Sequence, residues 1–386
     1  MSIFSSLSGV FGKKEQSVLG IDIGSSAIKV VQIKRKHGRA VLETYGELAL
    51  GPYAGIEVGR ATNLNTDKLI EALKDILRES KTTTTQCGTA LPLSSSLISF
   101  ITVPKVPEKQ LAEVVSIEAR KYIPVPMSEV LLDFSVIPKE DVFASEDEAN
   151  ATPAANVSIP NTSMSKPTTP RDLQDILVVA IHNEYLNNAQ AVMSGSILQP
   201  SFYEIEIFSS VRAVIDQGVA PVMIIDMGAR ATKLYIVERG LLRSVHLINK
   251  GAQDITLAIA QALSVPVAEA ENLKRVNGLK GGPEYKELTE IITVNLDYIF
   301  YEANATILAY QKKYSKNVSK IILTGGGVLL KGLSELAKIS FQTDVVYADP
   351  FGKLETPAFL AEQFAAAGPE FAVAIGVALR RLGEVA

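Results

Sequence analysis

One short pattern occurs twice in the 386-residue chain, and it constrains the fold more than any other feature. Residues 21–30 (IDIGSSAIKV) and 225–234 (IDMGARATKL) agree at Ile, Asp, Gly, Ala and Lys. Each copy lies between two apolar runs of strand length, so each reads as a hairpin whose turn begins Asp-x-Gly. Two copies of one supersecondary unit predict two lobes of similar build.

A carboxylate at a buried strand end, followed by a residue without a Cβ, is out of place in a plain hairpin. It suits a turn with an anion above it. Gly24 lets backbone amides approach a ligand closely, and Ser25 and Ser26 add hydroxyl donors. A phosphate chain fits such a turn. Asp22 and Asp226 would repel phosphate oxygens directly, so they are expected to hold a hydrated Mg²⁺ that bridges them. If each lobe offers its turn to a shared cleft, both carboxylates face one metal.

With 47% hydrophobic residues, a chain of this length buries more than one core. A net charge of −4, with no basic stripe interleaved with aromatics, argues against nucleic acid as a partner. The single cysteine, Cys87, excludes a disulfide framework and fits a reducing compartment such as cytoplasm. No apolar run approaches the roughly 20 residues that span a bilayer. Near the start, Ile3, Phe4, Leu7, Val10 and Phe11 share one helical face, but the basic pair follows them, the wrong order for a secretory signal; a frayed tail is expected. His37, His182 and His246 have no ligand-spaced partners, and neither a Walker-type loop nor a nucleophile elbow occurs.

Periodicity predicts a helix capped by Thr66 or Asp67, strands at 88–91 and 96–102, a helix at 108–122 stopped by Pro124 and Pro126, and strands at 131–137 and 175–181. Residues 139–172 lose all periodicity and carry an acidic patch and four prolines, the composition of a disordered surface loop. A buried strand at 320–323 ends in Thr324-Gly325-Gly326-Gly327 and leads toward a helix, a backbone platform for a flat base or a phosphate.

Asp22-x-Gly24-Ser25, Asp226-x-Gly228 through Thr232, and Gly325-Gly326-Gly327 resemble the phosphate-1, phosphate-2 and adenosine motifs of the actin, Hsp70 and sugar-kinase superfamily. Within it, LGIDIGSSAIKVVQI, VPKVPEKQLAEVVSIEARKYIPVPMSEVLLDFSVI and NKGAQDITLAIA resemble the PilM family, cytoplasmic actin-like proteins of type IV pilus assembly related to the division protein FtsA. The resemblance implies an α/β, two-lobed actin-like ATPase fold with a small α+β subdomain inserted in the first lobe. The expected layout is a tail (1–16), a first lobe (17–85 and 196–218), the insertion (86–195), a second lobe (219–265 and 315–386) and its helical subdomain (266–314).

The resemblance also implies ATP and Mg²⁺ between the lobes. Gly24, Ser25, Ser26, Lys29, Gly228, Ala229, Arg230, Thr232, Gly325, Gly326 and Gly327 would hold the nucleotide, with Asp22 and Asp226 toward the metal. Glu206 would orient the attacking water in any slow hydrolysis, and Glu271, Lys274 and Arg275 would clamp ribose and adenine. Arg230 puts a bulky cation in the second turn, pointing either to phosphate or to solvent. The insertion and first lobe would form a groove for the N-terminal cytoplasmic tail of PilN, an inner-membrane protein, so that contact with the membrane is indirect. A homo-oligomer is compatible with this reading. Two rivals remain: an FtsA-like protein that polymerises at the membrane, which should carry a linker and a basic amphipathic helix after the last lobe, and a small-molecule kinase, which needs a catalytic base beside a polyol pocket.

Overall fold

The fold is described from a computed structural model over residues 16–138, 173–216 and 218–385. Residues 1–15 of the expected tail and the expected loop at 139–172 lie outside the described residues. The chain opens with β1 (Ser17–Ile23), β2 (Ala27–Lys36) and β3 (Arg39–Ala49), then α1 (Thr66–Glu79) and β4 (Gln86–Leu91). Next come β5 (Ser96–Pro104), α2 (Glu108–Ala119), β6 (Val130–Ile137), β7 (Leu173–His182), α3 (Asn183–Gly195), β8 (Gln199–Ile205) and α4 (Glu206–Val214). The second half holds β9 (Val222–Met227), β10 (Thr232–Glu238), β11 (Leu241–Ile248), α5 (Ala252–Leu263), α6 (Val267–Val276) and α7 (Lys286–Tyr314). It finishes with β12 (Lys320–Thr324), α8 (Leu333–Phe341), β13 (Asp344–Tyr347), α9 (Ala361–Ala367) and α10 (Ala372–Glu384).

The repeat in the sequence becomes a repeat in topology. One five-stranded sheet has the order β3-β2-β1-β4-β8 and the other β11-β10-β9-β12-β13. In each, three strands run antiparallel as a meander and two more add in parallel beside the first. The register repeats too: Asp22 pairs with Lys29 across β1 and β2, and Asp226 pairs with Lys233 across β9 and β10. This is the two-lobed actin-like α/β fold.

β1 reads as a near-continuous apolar run because helices cover both of its faces. Leu19 and Ile21 pack with Leu73 and Ile76 of α1. On the other face lies α10, so close that a Cβ on Gly20 would stand 2.0 Å from the Ala374 carbonyl oxygen. α10 (AVAIGVALRRLGE) therefore belongs with the first sheet, packed on β1, β2, β4 and α4, and not with the second lobe where 315–386 was expected as one piece. Its small residues permit this. A Cβ on Gly376 would stand 1.9 Å from the Ser209 carbonyl oxygen of α4. Replacing Gly376 with Ala is expected to cost about 2 kcal/mol by overpacking, read as a lower midpoint in urea with an unchanged slope.

The other sheet packs Met223, Ile225, Leu234 and Ile236 against Ile255 and Ile259 of α5, Ile292, Leu296 and Ile299 of α7, and Leu333 of α8. Ser94–Tyr185 forms a compact unit of its own, an antiparallel sheet in the order β5-β7-β6 whose core residues Ile101, Ile176 and Val178 meet Leu111 and Val115 of α2. That unit starts later than the expected insertion boundary at 86. Gln86–Leu91 is β4, an internal strand of the first sheet, hydrogen-bonded to β1 and β8.

Candidate functional site

The two Asp-x-Gly turns are closed by the same bond. The Gly24 amide donates to the Ala27 carbonyl at 3.0 Å, and the Gly228 amide to the Ala231 carbonyl at 3.0 Å. A Cβ on either glycine would press on that same carbonyl, at 3.0 and 3.1 Å, so a larger residue there would push the turn open by a few tenths of an ångström. Secondary contacts fix both turns. In the first, the Ser25 carbonyl accepts from the Thr62 amide and the Ser26 carbonyl from the Leu50 amide. In the second, the Gly228 and Ala229 carbonyls accept from the Ala252 and Gln253 amides at the start of α5. The Thr232 hydroxyl is spent on the Lys250 carbonyl at 2.8 Å.

At the floor of the second turn, the Lys233 ammonium donates to Asp226 Oδ2 at 2.9 Å and to Glu206 Oε2 at 2.6 Å. All three side chains are nearly buried. Burial works against the ammonium, but Asp226 and Glu206 outweigh it and hold Lys233 above its ordinary range. Glu206 Oε1 also accepts the Leu93 amide at 2.7 Å, so both oxygens of the expected water-orienting acid have protein donors. Lys233 was not among the residues expected here, although the repeat marks it: it is the counterpart of Lys29.

Lys29 lies 3.3 Å from Glu47 Oε1. Burial opposes its charge, while Glu47, Asp22 and Glu370 favour it and raise it overall. Asp22 differs from Asp226. Among the described residues no hydrogen bond or ion pair reaches its carboxylate, and burial pushes it up to about 6, Lys29 and Lys233 pulling down and Glu206 and Asp226 pushing up. Nearby, burial and then the Glu47 carboxylate push Glu370 up to about 7. Glu47 and Glu370 were also missed, since no local motif marks either.

Two of the three glycines after β12 have a steric reason. Gly325 has φ +84°, and a Cβ there would stand 2.6 Å from Asp226 Oδ1; a Cβ on Gly327 would stand 2.5 Å from Met227 Cγ. Only Gly326 is open, its nearest neighbour being Glu370 at 3.7 Å. The triad leads toward a helix with a turn in between. It enters a short 3₁₀ turn (Gly326–Leu329), and α8 starts only after Gly332.

Glu271, Lys274 and Arg275 do come together on α6. Glu271 accepts from Lys274 and from Thr256 through Oε2, and from Arg275 through Oε1, all at 2.6 Å. Burial opposes the Glu271 carboxylate, but Lys274 and the hydrogen bonds outweigh it and hold it below its usual range. A strap after the first meander crosses to this side. The Ala61 amide donates to Gln253 Oε1 at 2.8 Å, and the Arg230 guanidinium donates to the Thr62 carbonyl at 2.7 Å. A Cβ on Gly59 would stand 2.9 Å from Glu271 Oε1. Arg230 thus ties the two lobes across the turns.

Among the described residues no group of three or more His, Cys, Asp or Glu side chains could hold a metal ion by itself. Burial pushes the Cys87 thiol up to about 12, which leaves it unreactive. No described helix is long and apolar enough to cross a membrane.

Comparison with known proteins gives four matches. The profile of the family described as type IV pilus assembly protein PilM matches residues 20–156 and 147–382. The cell division protein FtsA of Agrobacterium fabrum is 25% identical over 215 residues, 50% of this chain and 46% of FtsA, so the chain spans about half the length of the curated relatives it matches. Among solved structures, the PilM-PilN type IV pilus biogenesis complex aligns with a TM-score of 0.74 at 23% identity, over 95% of this chain and 98% of that one. MreB5 of Spiroplasma citri bound to ADP aligns with a TM-score of 0.50 at 11% identity, over 94% and 95%.

Proposed function

Because the chain belongs to the family of type IV pilus assembly proteins PilM, we propose that it is an actin-like scaffold that binds ATP between its lobes and docks the cytoplasmic tail of a PilN-type protein. One observation carries the nucleotide reading: two turns closed by the same glycine bond, on sheets of the same order, beside the open backbone of Gly326. The phosphates would lie on the amides of the two turns, near Lys29, and the base against Gly326 and the Glu271, Lys274 and Arg275 cluster.

Mg²⁺ fits on one side of this site. The unpartnered Asp22 carboxylate, held protonated by burial up to about 6, gains from a nearby cation, whereas Asp226 already has the Lys233 ammonium. Asp22 would hold the ion through water, and the ion would supply positive charge toward the phosphates. Lys233 would supply the second positive charge from the protein itself. With Glu206 tied at both oxygens, the site favours occupancy over turnover, as a switch requires.

For the partner, the Ser94–Tyr185 unit exposes Leu131 and Val136 on β6, an edge strand, and Ile117 and Tyr122 at and beyond α2. An apolar peptide tail could dock there as an added strand. The tail would bring the protein to the inner face of the cytoplasmic membrane.

Calorimetric titration tests both parts. Magnesium ATP is expected to bind in the micromolar range, and a synthetic PilN-type N-terminal peptide to bind with an affinity that changes when nucleotide is present. Absence of nucleotide binding in both EDTA and magnesium would overturn the cleft assignment. Peptide affinity indifferent to nucleotide would remove the coupling.

A further inference from the structure

α7 is the longest helix among the described residues, with 29 residues, and one of its faces packs on the second sheet. The opposite face is not polar. Val294 and Tyr301 are each 69% exposed, Leu308 63% and Tyr298 43%, and Ala305 is exposed between them. With Ile291 at the margin of the core, these residues follow the alternating four-three spacing of a coiled-coil seam over five turns. A seam of this length on a surface helix marks an interaction face.

The charges along α7 indicate what covers it. In an antiparallel pair of such helices, each position of one class in the seam faces the other class on the partner. Ile291 then meets Leu308, Val294 meets Ala305, and Tyr298 meets Tyr301. Carried one step further in each direction, the same register sets the exposed Glu287 against the exposed Lys312 at both ends. The flanking positions oppose Glu290 to Gln311, Asp297 to Asn304 and Glu302 to Asn295, so no like charges meet. A parallel pair would instead stack Glu287 on Glu287 and Lys312 on Lys312.

We propose that the exposed apolar seam of α7 is the dimer interface of this protein, covered in solution by α7 of a second copy in antiparallel register. The central layer is Tyr298 against Tyr301, with the Lys250 ammonium 4.7 Å over the Tyr298 ring to hold it in place. One helix pair of this length falls at the low end of specific interfaces, so a dissociation constant in the micromolar range is expected.

The test uses the full chain in sedimentation velocity across a concentration series. The expected result is a reversible monomer–dimer equilibrium. Tyr301→Glu should raise its dissociation constant about thirtyfold or more, as loss of a central aromatic anchor does. Lys312→Glu should weaken it, and Glu287→Lys combined with Lys312→Glu should restore it. Orientation is read separately: Val294→Cys and Ala305→Cys chains should cross-link under oxidation only when mixed. A strictly monomeric protein at submillimolar concentration, a dimer indifferent to Tyr301→Glu, or cross-linking of either cysteine variant alone would overturn the proposal.

Discussion

Replacing Lys233 with Met is expected to lower the stability of the ligand-free protein by about 3–5 kcal/mol, because it leaves two nearly buried carboxylates, Asp226 and Glu206, facing each other without a cation. Methionine keeps most of the volume, so the loss reports charge and not packing. Differential scanning in EDTA measures it. Millimolar magnesium should recover part of the loss in the variant, since removing the ammonium opens a second cation position, between Asp226 and Glu206, beside the one at Asp22. A variant as stable as the parent would mean that the ammonium is not what balances these acids.

Replacing Asp22 with Asn should act in the opposite direction on stability. The folded carboxyl, raised to about 6 from 3.8, binds a proton more tightly than it does in the unfolded chain. Its contribution is therefore favourable below pH 4 and is lost as pH rises through 6, a swing of about 3 kcal/mol. Asparagine removes that penalty, so the apo variant should melt several degrees higher than the parent at pH 7.5 and no higher at pH 4. The same variant should lose its magnesium-dependent gain in nucleotide affinity. A stabilised protein that has lost its ligand response is the pattern of a functional carboxylate, because a purely structural Asp would lower stability when removed. Glu370, raised to about 7, adds to the same pH trend in the parent.

The doubled hairpin could be read in the sequence because its information is local: Asp, Gly and Lys recur at fixed spacing, and a Cβ on either turn glycine would crowd the carbonyl that closes its turn. What periodicity could not reach were the long-range parallel pairings. Gln86–Leu91 is a short apolar run that reads the same in an insertion or in a central strand, and only its pairing with β1 and β8 decides. The seat of α10 on a strand more than three hundred residues earlier likewise leaves no local signal. In the site, Lys233 was visible as half of a repeat, while its position between two acids depends on Glu206 arriving from another element. Glu47 and Glu370 carry no motif at all; they are neighbours only because Gly368–Phe371 folds back beneath the glycine triad, the Pro369 carbonyl accepting the Gly325 amide at 2.8 Å.

The seat of α10 on β1 also sets an order of events during synthesis. The first hairpin leaves the ribosome early, yet one whole face of its central strand stays bare until residues near 376 have emerged. The second lobe, contiguous from β9 to β13 apart from what α10 covers elsewhere, has all its partners sooner. The lobe that is made first is thus completed last, and until then its apolar underside is a natural client surface for chaperones.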